Sequence, residues 1–482
     1  MQPHPKRWWA LAVIALAQFM VIMDTSIIGV ALPEMQRDLG FSQENLSWVF
    51  NGYVIAFGGL LLLGGRLADL FGAKRMFSLG WVILAVGSLG AGLADSVGVE
   101  IASRAVQGVG AALIAPSALT LLMMLFSHDP KELTKAIALY GAAAPAGGTA
   151  GVFLGGVITE WISWPWIYYI YIPIAIIAVA ATPALMPSAP ARRGRVDVLG
   201  AVAVTAGLAL AVFAVVRAPD EGWGSSATIL SLAGAVVLLG GFVAIQGAVR
   251  EPLMRLGIFR APNLGAANLA QLLLGAAWIP MWYFLNLYLQ QVLGFGAFAG
   301  GAALLPMTLA IMLLMIVVVP RVMGRFGFKA PTVAGLWILA IGLVWLSLVR
   351  PDGNFAADVL PASLVAAFGM ALAFIPSLGT ALSSARPEEG GLASGIVNTS
   401  YQVGSALGLA AMTALASSQG ADQLGNLEAL TDGFSAAFLG AAGIAAAGGL
   451  IALLTLRRPS ATAPAPAGAP AEHEGSPERL GV

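Results

Sequence analysis

Met20-Val21-Ile22-Met23-Asp24-Thr25-Ser26-Ile27-Ile28-Gly29-Val30-Ala31-Leu32-Pro33 sets one carboxylate, Asp24, inside an apolar run that starts at Trp8. The run is long enough to cross a bilayer. A charge at that depth costs about 2.5–3.5 kcal/mol on insertion scales. A partner charge, a water-filled cavity or an exchangeable proton must offset it. The run from 8 to 32 is too long for the apolar core of a cleaved signal peptide, so it reads as a first membrane span with Trp8 and Trp9 at its interface.

The rest of the 482 residues has the same character: 59% are hydrophobic, 10% are charged, and the mean hydropathy is +0.86. A soluble domain carries about 25% charged residues, so the composition is that of a polytopic membrane protein. The 59 glycines suit closely packed membrane helices. The net charge of zero suggests no nucleic-acid partner. There is no cysteine, and His4, His128 and His473 all lie outside apolar runs, so no metal site is expected. No phosphate-binding Gly-x-x-x-x-Gly-Lys-Ser/Thr loop is present, so transport driven directly by ATP is not expected. No nucleophile–base pair lies within the spans, and the chain is not expected to be an enzyme.

Apolar runs place fourteen spans at 8–32, 46–65, 76–94, 99–124, 135–158, 166–186, 198–217, 227–248, 264–291, 299–320, 332–350, 358–382, 392–416 and 435–456. Both termini then share one side. Twenty lysines and arginines fall on that side, three (Arg37, Arg217, Arg350) fall on the other, and Arg104 lies within a span. This asymmetry predicts cytoplasmic termini. The Pro/Ala-rich tail after Arg458 is expected to be disordered.

Asp24 reads as the one acidic residue deep in a span; Glu100 is placed near an outer span end. Arg104 sits about 8 Å below the outer boundary of span 4 and Asp24 about 12 Å below that of span 1. An Asp24–Arg104 pair is therefore allowed if the two helices are neighbours. Gln107 lies one turn on, on the same face. Gly147, Gly151 and Gly155 repeat every fourth residue of span 5 and make a smooth stripe, with Pro145 able to bend the helix. The loop Gly65-Arg66-Leu67-Ala68-Asp69-Leu70-Phe71-Gly72-Ala73-Lys74-Arg75 gathers a carboxylate, turn glycines and three cations into one connection.

That loop resembles the signature loop between spans 2 and 3 of the major facilitator superfamily. Met23 to Pro33 is similar to the span-1 motif of its fourteen-span drug:proton antiporter family. Arg104 to Ala112 and Gly147 to Gly156 are similar to the motifs of spans 4 and 5. Weaker echoes are Pro252-Leu253, Gln290-Gln291 and Gly391 to Gly395. The resemblance covers about residues 8–456 and implies an all-α fold of two six-helix halves with two extra central helices. The expected divisions are 1–186 for the N-terminal half, 187–262 for the extra helices and linkers, 263–456 for the C-terminal half, and 457–482 for the tail. It implies alternating access around a central cavity. Asp24 would be the proton or cationic-substrate site and Arg104 the arginine linked to proton coupling. Gly65, Asp69, Gly72, Lys74 and Arg75 would act with Gly147, Gly151 and Gly155 in gating. Asp69 would latch the halves against the start of span 13 near Gly391. Departures from the motifs include Gly29 for Asn, Val152 for Pro, Leu70 and Ala73 for two loop arginines, Trp164-Pro165-Trp166 for Trp-Arg-Trp, and a second-half loop at 320–327 without an aspartate.

Polar and aromatic residues at membrane depth form the candidate substrate cavity: Gln18, Asn51, Tyr53, Gln107, Trp278, Trp282, Tyr283, Asn286, Asn398, Tyr401 and Gln402. Some are expected to line it and others to pack. The leading expectation is a monomeric, cofactor-free efflux antiporter in a bacterial plasma membrane. It would exchange protons for drug-like small molecules. A dedicated exporter of one natural product is the alternative within transport. A membrane sensor or scaffold that moves nothing is the alternative outside it.

Overall fold

The computed structural model describes residues 6–187, 194–385 and 390–457. The expected tail and Arg192, Arg193 and Arg386 lie outside the described residues. Fourteen long helices follow one another among the described residues, and none of these residues is in a strand. In chain order they are α1 (Arg7–Leu39), α2 (Gln43–Phe71), α3 (Ala73–Gly92), α4 (Val97–Phe126), α5 (Pro130–Trp161), α6 (Trp166–Leu185) and α7 (Val198–Glu221). They continue as α8 (Ser226–Ala248), α9 (Leu264–Val292), α10 (Ala297–Phe326), α11 (Lys329–Leu346), α12 (Phe355–Ser384), α13 (Gly390–Ser418) and α14 (Leu427–Thr455). All but α13 contain a stretch long and apolar enough to cross a membrane, by length and composition alone. α13 is long enough but carries the polar run Asn398-Thr399-Ser400-Tyr401-Gln402, of which Asn398 is exposed and the other four are partly buried.

Helix ends follow local chemistry. α1 outruns its expected end at Leu32 and stops at Gly40, whose φ of 72° lets its N–H return to the Gln36 carbonyl at 3.0 Å. α5 starts on an Asp129 cap that accepts from the N–H groups of Lys131 and Glu132, with Pro130 in the first turn. Gly72 turns α2 into α3 with a φ of 94°, a conformation that side chains other than glycine rarely adopt.

The same pairings recur in the two halves: α1 on α5 and α9 on α13, α3 on α4 and α11 on α12. Close backbone approach explains the glycines at both principal seams. A methyl added to Gly147, Gly151 or Gly155 would meet the carbonyls of Phe19, Met23 and Ile27 on α1. One added to Gly404 or Gly408 would likewise meet the carbonyls of Leu272 and Ala276 on α9. α7 and α8 pair with each other, and α7 rests on α2 and α13.

Call the near face the one where α1 begins. At the far face the halves are closed. Gly156 of α5 packs against Ala297 and Phe298 of α10, Gly301 of α10 against the carbonyl of Val152, and Trp161 stacks on Phe298 with centroids 4.9 Å apart. Toward the near face, Gly141 of α5 and Gly324 of α10 have no neighbouring atom within 4 Å of an added methyl. The halves still touch there along α2 and α13, where Gly58 faces Gln402 and Leu62 faces Gly395. α5 and α10, in contact at the far face, are thus apart at Gly141 and Gly324.

Candidate functional site

The core of the N-terminal half holds a buried ion pair. Asp24 is 1% exposed and Arg104 is fully buried. Arg104 Nη1 donates to Asp24 Oδ1 at 3.0 Å, and Nη2 lies 2.8 Å from Oδ2, close enough for an ion pair but off line for a second hydrogen bond. The rest of the guanidinium is also held. Nε donates to the Val49 carbonyl at 2.9 Å, and Nη1 donates to Gln107 Oε1 at 2.6 Å. Gln107 Nε2 in turn donates to Ser88 Oγ at 2.7 Å, and Ser88 Oγ donates to the Leu84 carbonyl. Residues of α1, α2, α3 and α4 thus meet at one arginine. The Tyr53 ring lies 4.7 Å from the guanidinium carbon and the Tyr168 ring 5.9 Å from it. Charge pairing, hydrogen bonds and ring faces together offset the burial of the cation.

Two expectations change here. Gln107 is fully buried and spends its amide on Arg104 and Ser88, so it belongs to the ion-pair network and not to a cavity wall. Asp24 is also not alone as a buried acid. Glu100, one turn before Arg104, is fully buried, and Tyr168 Oη donates to its Oε1. Its position near a helix start suggested an exposed end. The available signal was the four-residue spacing to Arg104, which puts both on one face.

The other cavity candidates divide by exposure. Asn51 and Tyr53 are fully buried, and neither the Asn51 amide nor the Tyr53 hydroxyl has a partner among the described residues. Trp278, Trp282, Tyr283 and Asn286 are buried on α9. Gly29 explains part of this: a methyl there would stand 3.0 Å from Asn286 Nδ2 and 3.2 Å from Trp282 Nε1, so the glycine lets α1 close on α9. Trp282 and Asn286 thus meet α1 across the two halves. Gln18, which accepts from Tyr140 Oη at 2.8 Å, is partly exposed, as are Tyr401 and Gln402, and Asn398 is exposed.

A ring of three glutamines ties the halves at the far face. Gln36 donates to Gln43 at 2.8 Å, Gln43 donates to Gln291 at 3.1 Å, and Gln291 donates back to Gln36 at 2.8 Å. Gln290 Nε2 adds a bond to the Val30 carbonyl at 3.0 Å. The Gln290-Gln291 pair stood out in the sequence without a role. Its partners are distant in the chain, so only the fold reveals them.

The near face holds the residues expected to form the latch. Asp69 is exposed and makes no hydrogen bond or ion pair among the described residues. Residues 386–389, before α13, lie outside those described. Arg66 pairs with Glu251 and donates to the Arg195 carbonyl at 3.4 Å. The Arg195 N–H donates to Glu251 at 2.7 Å. That bond, with Arg66 beside it, holds the Glu251 carboxyl below its ordinary value of 4.5. Lys74 donates to the carbonyls of Pro183 and Met186 at the end of α6, and Arg75 is exposed. Gly65 lies open enough for a methyl, 3.7 Å from Pro116.

A model of the Major Facilitator Superfamily matches residues 14–409. The chain is 39% identical to the cephamycin export protein CmcT of Amycolatopsis lactamdurans, covering 90% of this chain and 89% of that one. It is 35% identical to the puromycin resistance protein pur8 of Streptomyces alboniger (85% and 81% covered). It is 32% identical to the tetracenomycin C resistance and export protein of Streptomyces glaucescens (86% and 77%). Among solved structures, the POT family transporter PepTSo superposes with a TM-score of 0.69 at 17% identity, over 94% of this chain and 98% of that one. That likeness concerns the fold alone.

Proposed function

The chain belongs to the Major Facilitator Superfamily, and on that footing we propose that it is a proton-coupled exporter of antibiotic-like small molecules. The observation that carries the coupling is the Asp24–Arg104 pair, a carboxylate sealed from solvent and matched by one cation. Asp24 joins α1 to Arg104 of α4 through one hydrogen bond and one ion pair, so neutralising that single carboxylate would change what holds the two helices together. The near face is read as cytoplasmic, from its excess of lysine and arginine. Substrate would enter from that side in the conformation described. A proton from outside would neutralise Asp24, loosen its hold on Arg104, release substrate and favour return to the inward-facing state.

The three relatives at 32–39% identity bear the names of single natural products, cephamycin, puromycin and tetracenomycin C, whereas one at 30% is named a multidrug resistance protein. This favours a dedicated exporter over a broad multidrug pump. A growth panel in a sensitive host separates the two, since protection against one structural class is expected and protection across unrelated classes argues for the broad pump. Transport itself is tested in everted vesicles with an acid lumen. Vesicles carrying the chain should accumulate cephamycin C or puromycin, and Asp24→Asn vesicles should not. Accumulation of both at the level of empty vesicles, together with a growth panel showing no protection, would sink the efflux reading.

A further inference from the structure

Glu100 is a fully buried carboxyl group to which the transport cycle above gives no task. Tyr168 Oη is its only hydrogen-bond donor among the described residues, and its Oε2 has no partner. The charged and titratable groups facing it are Tyr168 from α6, Arg104 on its own helix and Asp24 from α1. α2 adds Tyr53 on the guanidinium. α3 offers no titratable group nearer than Lys74 and Arg75 at its opposite end. α5 carries its charges at its two ends, where Glu132 pairs with Arg7 and Glu160 accepts from the Phe298 N–H.

The charge balance of this cluster is informative. Two buried carboxyls share one buried guanidinium, and that guanidinium is engaged by Asp24. An ionised Glu100 would be a second buried anion with one neutral donor and no counterion, which is a costly arrangement. A proton on Glu100 leaves the cluster neutral. Arg104 is four residues on along the same helix, so its head can reach either acid. Glu100 is also closer to the far end of α4 than Arg104 is.

We propose that Glu100 is a second proton site that trades one proton with Asp24, Arg104 pairing with whichever carboxylate is charged. A proton leaving Glu100 Oε2 makes that group the anion and Asp24 the acid, so the cluster stays neutral at both ends of the exchange. Tyr168, which touches Glu100 on one side and the guanidinium on the other, acts as a positioning residue. This deepens the proton-coupled reading and rests on it, but its test needs no transport.

Infrared spectroscopy of the purified full-length chain at neutral pH reads the protonated carboxyl directly. The wild type should show one buried acid carbonyl band. Glu100→Gln should remove it. Asp24→Asn should also remove it, because Glu100 then ionises to balance Arg104. Adding Arg104→Gln to Asp24→Asn should bring it back. A Glu100 that is merely structural would keep its band in Asp24→Asn, and that result, or a wild type without the band, overturns the proposal. Tyr168→Phe leaves the charges in place and should shift the band upward as the hydrogen bond is lost. It keeps the assignment testable if Glu100→Gln does not fold, since an unmoved band would also overturn it. A failed puromycin or cephamycin C accumulation with these infrared results intact would count against export and not against the second proton site.

Discussion

Arg104 carries more contacts than its charge alone requires, and its replacement should show it. Arg104→Ala leaves Asp24 buried without a cation and should cost about 3–5 kcal/mol of stability. Adding Asp24→Asn should recover much of that loss, because the orphaned charge is gone. Thermal unfolding in detergent of the two single variants and the double variant measures the coupling, and strictly additive losses would mean the pair is not coupled. Arg104→Lys keeps the charge but cannot reach Val49, Gln107 and Asp24 together, so proton-driven transport should fall well below wild type. The pair was legible in the sequence from matching depths. Glu100 was not, because an acid in the first turn of a span resembles a surface residue until Tyr168 and the packing of α6 cover it.

At the scale of helices, the α1–α5 seam sets where Asp24 sits. Gly151 lies against the Met23 carbonyl and Ser26 Cβ, each 2.8 Å from an added methyl. Gly151→Val should push α1 away, cost about 1–3 kcal/mol, and abolish transport while circular dichroism keeps its helical signal. Normal transport by that variant would show that the seam tolerates movement. The stripe on α5 was readable from its spacing. The matching stripe at Gly404 and Gly408 was not singled out, because α13 also carries a polar run that hides its role as a seam.

The near-face connection makes a separate prediction with a definite sign. The Arg195 N–H and Arg66 favour ionised Glu251, so its folded pKa lies below the ordinary 4.5. Its contribution is present in full above that ordinary value and is lost as pH falls through the lower folded value. Limited proteolysis next to Arg195 should therefore accelerate in acid in the wild type. Glu251→Gln should already be fast at neutral pH, whereas equal rates for the two at neutral pH would remove the latch from Glu251. Asp69, the acid that the motif singles out, could not be told from Glu251 by sequence, since the choice depends on where the linkers fold back.

For the molecule as a whole, span number, repeated halves and the central helix pair were all legible, because lipid demands apolar runs and positive charge marks one side. The conformation was not, because it rests on side-chain contacts between halves. Gln291 makes two of the far-face bonds, worth about 1 kcal/mol each. Gln291→Ala should weaken closure by about 2 kcal/mol, a shift of up to roughly thirtyfold in population. The chain has no cysteine, so spin labels on Arg37→Cys and Asp352→Cys, both exposed and one in each half, can read the far-face distance. The distribution should lengthen in Gln291→Ala, and an unchanged one would show that the α5–α10 packing closes this face without the glutamines.

The central claim is that the sealed Asp24–Arg104 pair exchanges a proton for substrate. Proton release from purified protein in unbuffered detergent solution, on titration with cephamycin C and with puromycin, tests it most directly. The wild type should acidify the solution in proportion to the compound bound, and Asp24→Asn should bind compound without releasing protons. Equal release from both proteins would contradict the account.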